Sequence, residues 1–228
     1  MSVGDSVEGM VFKDREDAGT RLAARLSEGH DLGDAVVLGL PRGGVPVASR
    51  VADRLGLPLD VIVVRKLGVP SQPEVAMGAI GEGGAEVLDA GIVRMLGIAA
   101  RDVAAVERRE RTTLELRLRR LRHGRRRVPL EGRTALIVDD GIATGATAEA
   151  AAQVARELGA RRVFVAAPVA GPGAAGRIVS ADAVIALSQP PGFQAVGACY
   201  EDFGQTSDEE VMRILEAARA RGLGHDAT

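Results

Sequence analysis

The chain has 228 residues, 46% of them hydrophobic, and a formal net charge of −2, so it can bury a core as one domain with at most a small appendage and is no general polyanion binder. Its single cysteine, Cys199, excludes an intrachain disulfide and fits a reducing cytoplasm. No apolar run approaches the ~20 residues of a membrane helix, and residues 1–17, MSVGDSVEGMVFKDRED, lack the basic-then-apolar order of a signal peptide; the expectation is a cytoplasmic protein with no membrane partner.

In chain order, AGTRLAARLSE (18–28) places Leu22 and Leu26 four apart, the spacing of an amphipathic helix. AVVLGL (35–40) is a short apolar run stopped by PRGG and is expected to be a buried strand. VPVASRVADRLG (45–56) reads as a helix closed by Gly56. LDVIVVRKL (59–67) is β-branched and strand-like. Residues 68–84, GVPSQPEVAMGAIGEGG, are crowded with Gly and Pro and are expected to form a long loop with a short strand near 77–80. Loops of that length inside compact domains are often functional lids; Glu74 within it has no assigned role. AARDVAAVERRERTTLELRLRRLRHG (99–124) is a long charged helix, RTALIVDD (133–140) a strand, and 147–158 a helix ending at Gly159. RRVFVAAPVA (161–170) and ADAVIALS (181–188) are two more strands, separated by GPGAAGRIVS (171–180). Residues 189–206 are irregular, and SDEEVMRILEAARA (207–220) is a last helix opened by a Ser207–Glu210 capping box.

Strands alternating with helices predict an α/β fold with a parallel sheet covered on both faces. Ligands in such sheets bind at the carboxyl ends of the strands. Three expected strands end in unusual residues: Leu40 before PRGG, Val64 before Arg65–Lys66, and Val138 before DDGIATGAT. The last carries the most chemistry. Free N–H groups at a helix N-terminus make an anion cradle, and Thr144 and Thr147 add hydroxyls. Asp139 and Asp140 beside it would repel a phosphate unless they face a donor or a cation, and a sugar diol supplies donors. Phosphate beside diol describes a phosphorylated ribose. The stretch is not a Walker A loop, lacking its spacing and its Lys, nor a G-x-G-x-x-G dinucleotide fingerprint.

LIVDDGIATGAT (136–147) resembles the phosphoribosyl-diphosphate (PRPP) signature of type I phosphoribosyltransferases. The resemblance implies a Rossmann-like parallel-sheet core with helices on both faces and a small hood: residues 1–188 as core, including a lid loop 66–84 and the helix 99–124, and 189–228 as hood segment and C-terminal helix. It implies a glycosyltransferase (pentosyltransferase) of nucleotide metabolism that passes the 5-phosphoribosyl group of PRPP to a nitrogenous, nucleobase-like acceptor and releases pyrophosphate. Asp139 and Asp140 would hold the ribose hydroxyls and, with Lys66, act in catalysis. Gly141, Ile142, Ala143, Thr144, Gly145, Ala146 and Thr147 would hold the 5′-phosphate. Arg42, Gly43 and Gly44, with Arg65 and Lys66, would hold pyrophosphate; the family's adenine-type members also place a basic pair before a flexible loop. Mg²⁺ is the implied cofactor, carried chiefly by the substrate, with Asp139 and Asp140 the only protein groups put forward for it. A homodimer is expected.

The base is left open. Phe193, Tyr200 or Phe203 could stack on a flat ring or fill a small hood core, with help from the N-terminal segment. Members acting on 6-oxopurines carry a third acid where this chain has Ala143, which argues against those bases; the ATG pattern is closer to adenine-type members. YEDFGQTSDEE (200–210) resembles a bacterial subgroup of unnamed substrate. His30, His123 and His225 lie far from these loops, and Cys199 has no visible catalytic partner. The alternatives are a PRPP- or nucleotide-sensing regulator of the same fold that could bind RNA, suggested by the basic stretch RLRRLRHGRRR (117–127), a hydrolase or phosphoribosyl-binding module that has lost transfer activity, or a P-loop nucleotidase, which the missing Lys argues against. Acidic residues Glu107, Glu110 and Glu115 on the same helix favour a solvated or subunit-facing helix over a nucleic-acid contact, so nucleic acid is not an expected partner.

Overall fold

A computed structural model describes residues 10–29, 32–123 and 126–222. Residues 1–9 of the stretch read for a leader, His30, His225, residues 124 and 125 of the basic stretch, and the side chain of Glu74 lie outside the described residues. The chain runs through α1 (Arg15–Ser27), β1 (Ala35–Gly39), α2 (Gly44–Leu55), β2 (Leu59–Val61), β3 (Val64–Val69), β4 (Gln72–Gly81), β5 (Glu86–Leu88) and α3 (Ala90–Met95). It continues through α4 (Ala100–Arg122), β6 (Thr134–Val138), α5 (Ala146–Glu157), β7 (Arg162–Val169), β8 (Ala183–Ser188) and α6 (Asp208–Ala220), with 3-10 turns at Glu82–Gly84, Ala175–Arg177 and Val196–Cys199.

Five strands form a parallel sheet in the order β2-β1-β6-β7-β8. The central strands β1 and β6 are buried at every position, as continuous apolar runs between two helical layers must be. They pair in register from Ala35↔Thr134 to Gly39↔Val138, which brings their carboxyl ends side by side. Leu136 and Val37 face a layer containing Leu22 of α1, Val45 and Val51 of α2 and Leu215 of α6. Ile137 and Val36 face Ala151 and Val154 of α5. Each such aliphatic side chain contributes about 1.5–3 kcal/mol relative to exposure. Local signals bound the helices: the Asp14 carboxylate opens α1 by accepting the Asp17 N–H at 2.8 Å, Gly56 ends α2 at φ 65°, and the Ser207 hydroxyl opens α6 by accepting the Glu210 N–H at 3.1 Å.

Two expectations are corrected. The run 59–67 is not one strand: β2 stays in the parallel sheet, and β3 begins a separate antiparallel sheet of order β3-β4-β5. Arg65 and Lys66 therefore lie inside a strand of this second sheet and do not follow a parallel strand's end. Nor is 68–84 a long loop with a short strand at 77–80: β3 turns at residues 70–71 into the ten-residue β4. Its glycines serve close packing. A side chain at Gly78 would overlap the Val87 carbonyl on the neighbouring strand. The charged helix is amphipathic where it matters, with Val103, Val106, Glu110, Leu114 and Leu121 buried.

Residues 189–206 and the N-terminal segment fold together. Phe12 bridges Tyr200, the Phe12 N–H donates to Cys199 O at 2.9 Å, and the Glu201 N–H donates to Phe12 O at 2.8 Å. Phe12, Ala18, Val169, Cys199 and Tyr200 form a small core there. Among the described residues no helix is long and apolar enough to cross a membrane.

Candidate active site

The register of β1 with β6 places the loop after one strand against the acidic pair after the other. The Leu40 N–H donates to Val138 O at 2.9 Å, and α2 starts when the Gly44 N–H returns to Leu40 O at 3.0 Å. Gly43 packs so closely that a side chain there would overlap the Asp140 carboxylate. The expected pyrophosphate loop and the expected ribose acids are thus in contact.

Asp139 Oδ1 accepts the Asp140 N–H at 2.9 Å. Burial first, then the negative charge of Asp140, push the Asp139 carboxyl well above its ordinary value. Asp140 Oδ2 is paired with Arg15 Nε at 2.8 Å, and the Tyr200 hydroxyl donates to the Asp140 carbonyl at 2.6 Å. Arg15 also donates through Nη1 to Gly204 O at 2.6 Å and lies 4.0 Å from the centre of the Phe203 ring. Burial, then Asp140, push the Tyr200 phenol above its ordinary range, so it stays a donor.

The following loop leads into α5 through Gly145, at φ 86°. The first turn of a helix leaves N–H groups without intrahelical acceptors, and Ala143, Thr144 and Thr147 are exposed there. Ile142 differs from its neighbours: its side chain is buried and its N–H donates to Val169 O at 2.9 Å, so it anchors the loop and presents no donor. Glu149, in the first turn of α5, is turned aside by the Ser180 N–H at 3.0 Å and the Ser180 hydroxyl at 2.6 Å. Arg177 donates to Thr144 O at 3.4 Å, which puts a cation beside the loop that local sequence pattern did not single out.

Lys66 lines two adjoining clefts. One, of about 470 Å³, is shared with Pro41, Arg65 and Thr147; the other, of about 560 Å³, with Thr144, Gln153 and Arg177. Lys66 therefore borders both clefts, with residues of the expected 5′-phosphate loop in each and Pro41 of the loop after β1 in the first. Arg65 donates from Nε and Nη2 to Glu110 Oε2 at 2.9 and 2.7 Å, which ties β3 to α4. Arg42 turns the other way, its Nη1 3.9 Å from Asp208 Oδ1 at the start of α6. Two further arginines of the basic stretch also point inward. Arg117 Nη2 donates to Pro41 O at 3.0 Å, and Arg122 is buried between Asp60 and Glu82.

The three aromatic candidates separate. Tyr200 is hood core, 7% exposed, with its ring 5.4 Å from Phe12 and 5.0 Å from Phe203 and its hydroxyl already used. Phe203 has one face under Arg15. Phe193 packs at Gly171, whose N–H donates to Ile142 O at 2.7 Å, so its ring borders the Gly/Thr loop. Cys199 is buried, which pushes its thiol above the ordinary value and suits no nucleophile. Among the described residues no group of three or more His, Cys, Asp or Glu is gathered to hold a metal.

The phosphoribosyl transferase domain family matches residues 11–195. Putative phosphoribosyl transferase MT0597 of Mycobacterium tuberculosis (strain CDC 1551 / Oshkosh) is 54% identical over 209 residues, covering 91% of this chain and 47% of the relative. The chain thus spans about half the length of that curated relative. The crystal structure of TT1426 from Thermus thermophilus is similar with a TM-score of 0.84 at 48% identity, covering 90% of this chain and 98% of that one.

Proposed function

The chain belongs to the phosphoribosyl transferase domain family, and on that premise we propose that it transfers the 5-phosphoribosyl group of PRPP to a nitrogenous base. One observation carries the proposal: Asp139 and Asp140 end β6 beside an exposed Gly/Thr helix start, and Asp140 touches Gly43 of the loop after β1. That arrangement accommodates phosphate, diol and pyrophosphate in sequence.

A base nitrogen attacks the anomeric carbon. The new N–C bond forms as the C–O bond to pyrophosphate breaks, the electron pair leaves with pyrophosphate, and the proton of the attacking nitrogen passes to water. Positive charge develops on the ribose ring, and the work left to the protein is positioning and charge stabilisation. Exposed N–H groups and hydroxyls of residues 143–147 take the 5′-phosphate, Asp140, oriented by Arg15, takes a ribose hydroxyl, and Lys66 faces the departing charge. Hard carboxylate oxygens at one strand end fit Mg²⁺, which keeps few protein ligands; Asp139 and Asp140 are the residues that would hold it. When bound, the ion supplies neutralisation of pyrophosphate charge. Phe193 is the aromatic best placed to stack on the acceptor. Arg117 and Arg122, two arginines of the basic stretch that suggested a nucleic-acid-binding regulator, are committed inward, which favours the transferase reading.

Calorimetric titration with PRPP, with and without Mg²⁺, followed by a nucleobase panel scored for pyrophosphate release, tests the proposal. Saturable binding and one productive base are expected. Absence of PRPP binding under both conditions would overturn it.

A further inference from the structure

We propose that Arg117 on α4 is a direct ligand of the departing pyrophosphate, so that α4 forms a third wall of the leaving-group pocket beside the loop at residues 41–43 and Lys66 on β3. The inference rests on the transferase reading above and adds to it an element with no assigned part in the reaction.

The cleft next to Pro41 is lined by four cations, Arg65, Lys66, Arg109 and Arg117, against one carboxylate, Glu110, an excess of three positive charges. That carboxylate is already committed: Oε2 accepts from Arg65 at 2.7 Å and Oε1 from Arg109 at 3.1 Å. Glu110 and Arg117 are seven residues apart on α4, two turns, and so share a face. Glu110 fixes that face against β3, and Arg117 then reaches the strand-end loop, where Nη2 donates to Pro41 O at 3.0 Å. A guanidinium has five N–H donors in a planar fork suited to phosphate oxygens, and the Pro41 carbonyl takes one of them. Arg117 is half-buried. Burial holds its pKa below the ordinary arginine value, against the pull of Asp208 and with the lesser help of the Arg42 and Arg65 charges. A partly desolvated guanidinium among like charges favours a compact anion beside it. Thr144 and Ala146 of the 5′-phosphate cradle line the neighbouring cleft, while Thr147 and Pro41 both line this one; an anion here thus lies between the cradle and the loop after β1, where the leaving pyrophosphate belongs.

The test separates the two halves of the substrate. Inorganic pyrophosphate with Mg²⁺, and ribose 5-phosphate, are titrated calorimetrically into the wild type and into Arg117→Met, Arg117→Gln, Arg117→Lys and Arg119→Met. Arg119 is exposed on the same helix, 4.0 Å from Glu115, and serves as the control. Arg117→Met and Arg117→Gln are expected to weaken pyrophosphate about tenfold or more while ribose 5-phosphate stays within about twofold. Arg117→Lys recovers part of the loss through its charge, and Arg119→Met changes neither. Wild-type pyrophosphate affinity in Arg117→Gln, which keeps a donor for Pro41, would reduce Arg117 to a loop brace and overturn the proposal. Equal losses for both ligands with a lowered Tm would overturn it as a folding effect. A wild type that binds ribose 5-phosphate but not pyrophosphate would sink this inference alone; one that binds neither would sink the transferase reading with it.

Discussion

Asp140 is held from three directions. Arg15 pairs with its carboxylate, Tyr200 donates to its carbonyl, and Gly43 leaves room for it by having no side chain. Asp140→Asn keeps the shape and an acceptor for Arg15 but loses the charge. Its kcat/KM for PRPP is expected to fall on the order of tenfold to a hundredfold, with unfolding free energy changed by about 1 kcal/mol or less. Steady-state kinetics and urea unfolding of the same preparation check this; wild-type kinetics would remove Asp140 from the ribose site. Lys66→Ala is expected to lower turnover by about tenfold, for loss of a charge beside the leaving group, and to move stability by less. A Tm loss without a kinetic one would make Lys66 structural. Asp139, Asp140 and Lys66 were legible in the sequence because each interrupts a local apolar pattern. Arg15 was not: its partner lies 125 residues away, and on its own helix it is one more charged residue in a first turn. Arg177 was hidden for the same reason, since only the fold brings the turn after β7 to Thr144.

The unit β6–loop–α5 was readable because everything that specifies it is local: a buried apolar run, an acid pair, small residues and a helix start. The second sheet was hidden because Gly and Pro are also the signals of a loop. In β4 glycine is a packing residue, and the substitution Gly78→Ala tests that. The added methyl meets the backbone of β5, which cannot rotate away as a side chain would. A destabilisation of about 1–3 kcal/mol is expected, read as a lowered Tm and faster proteolysis within residues 72–88. An unchanged Tm would mean that the β5 edge moves aside freely. For α4 the charges hid a seven-residue spacing, Val103 to Glu110 and Leu114 to Leu121, that turns one face inward. Its sequence also allows a subunit-facing role, yet the buried face packs within the same chain, in the cluster that holds Leu67 and Met77 of the antiparallel sheet.

At the scale of the molecule, the parallel sheet, the antiparallel sheet and α4 meet at one guanidinium. Arg122, in the last turn of α4, binds Asp60 of β2 at 2.5 Å and Glu82, just past β4, at 2.6 and 2.9 Å. Asp60 also accepts the Val128 N–H at 2.7 Å, which secures the chain on its way to β6. Asp60 interrupts an apolar run, but nothing local names its partner, and Glu82 and Arg122 look like ordinary surface charges until the fold brings them to it. Arg122→Met leaves two buried carboxylates without their cation and is expected to cost about 3–5 kcal/mol, a large share of the roughly 5–15 kcal/mol that keeps a domain folded. The loss should depend on pH, with a definite sign. Burial already raises the Glu82 carboxyl above 4.5, against the opposing pull of Arg122. Without Arg122 the rise is larger. Between 4.5 and the raised value the native state holds a proton that the unfolded chain has released, so stability falls as pH increases through that window. Below it both states are protonated and the penalty on Glu82 vanishes. Denaturant unfolding of wild type and Arg122→Met at about pH 8 and about pH 5 should therefore show the larger deficit at the higher pH. Equal deficits would mean that solvent reaches Glu82 once Arg122 is gone, and that the three elements are joined there by packing more than by charge.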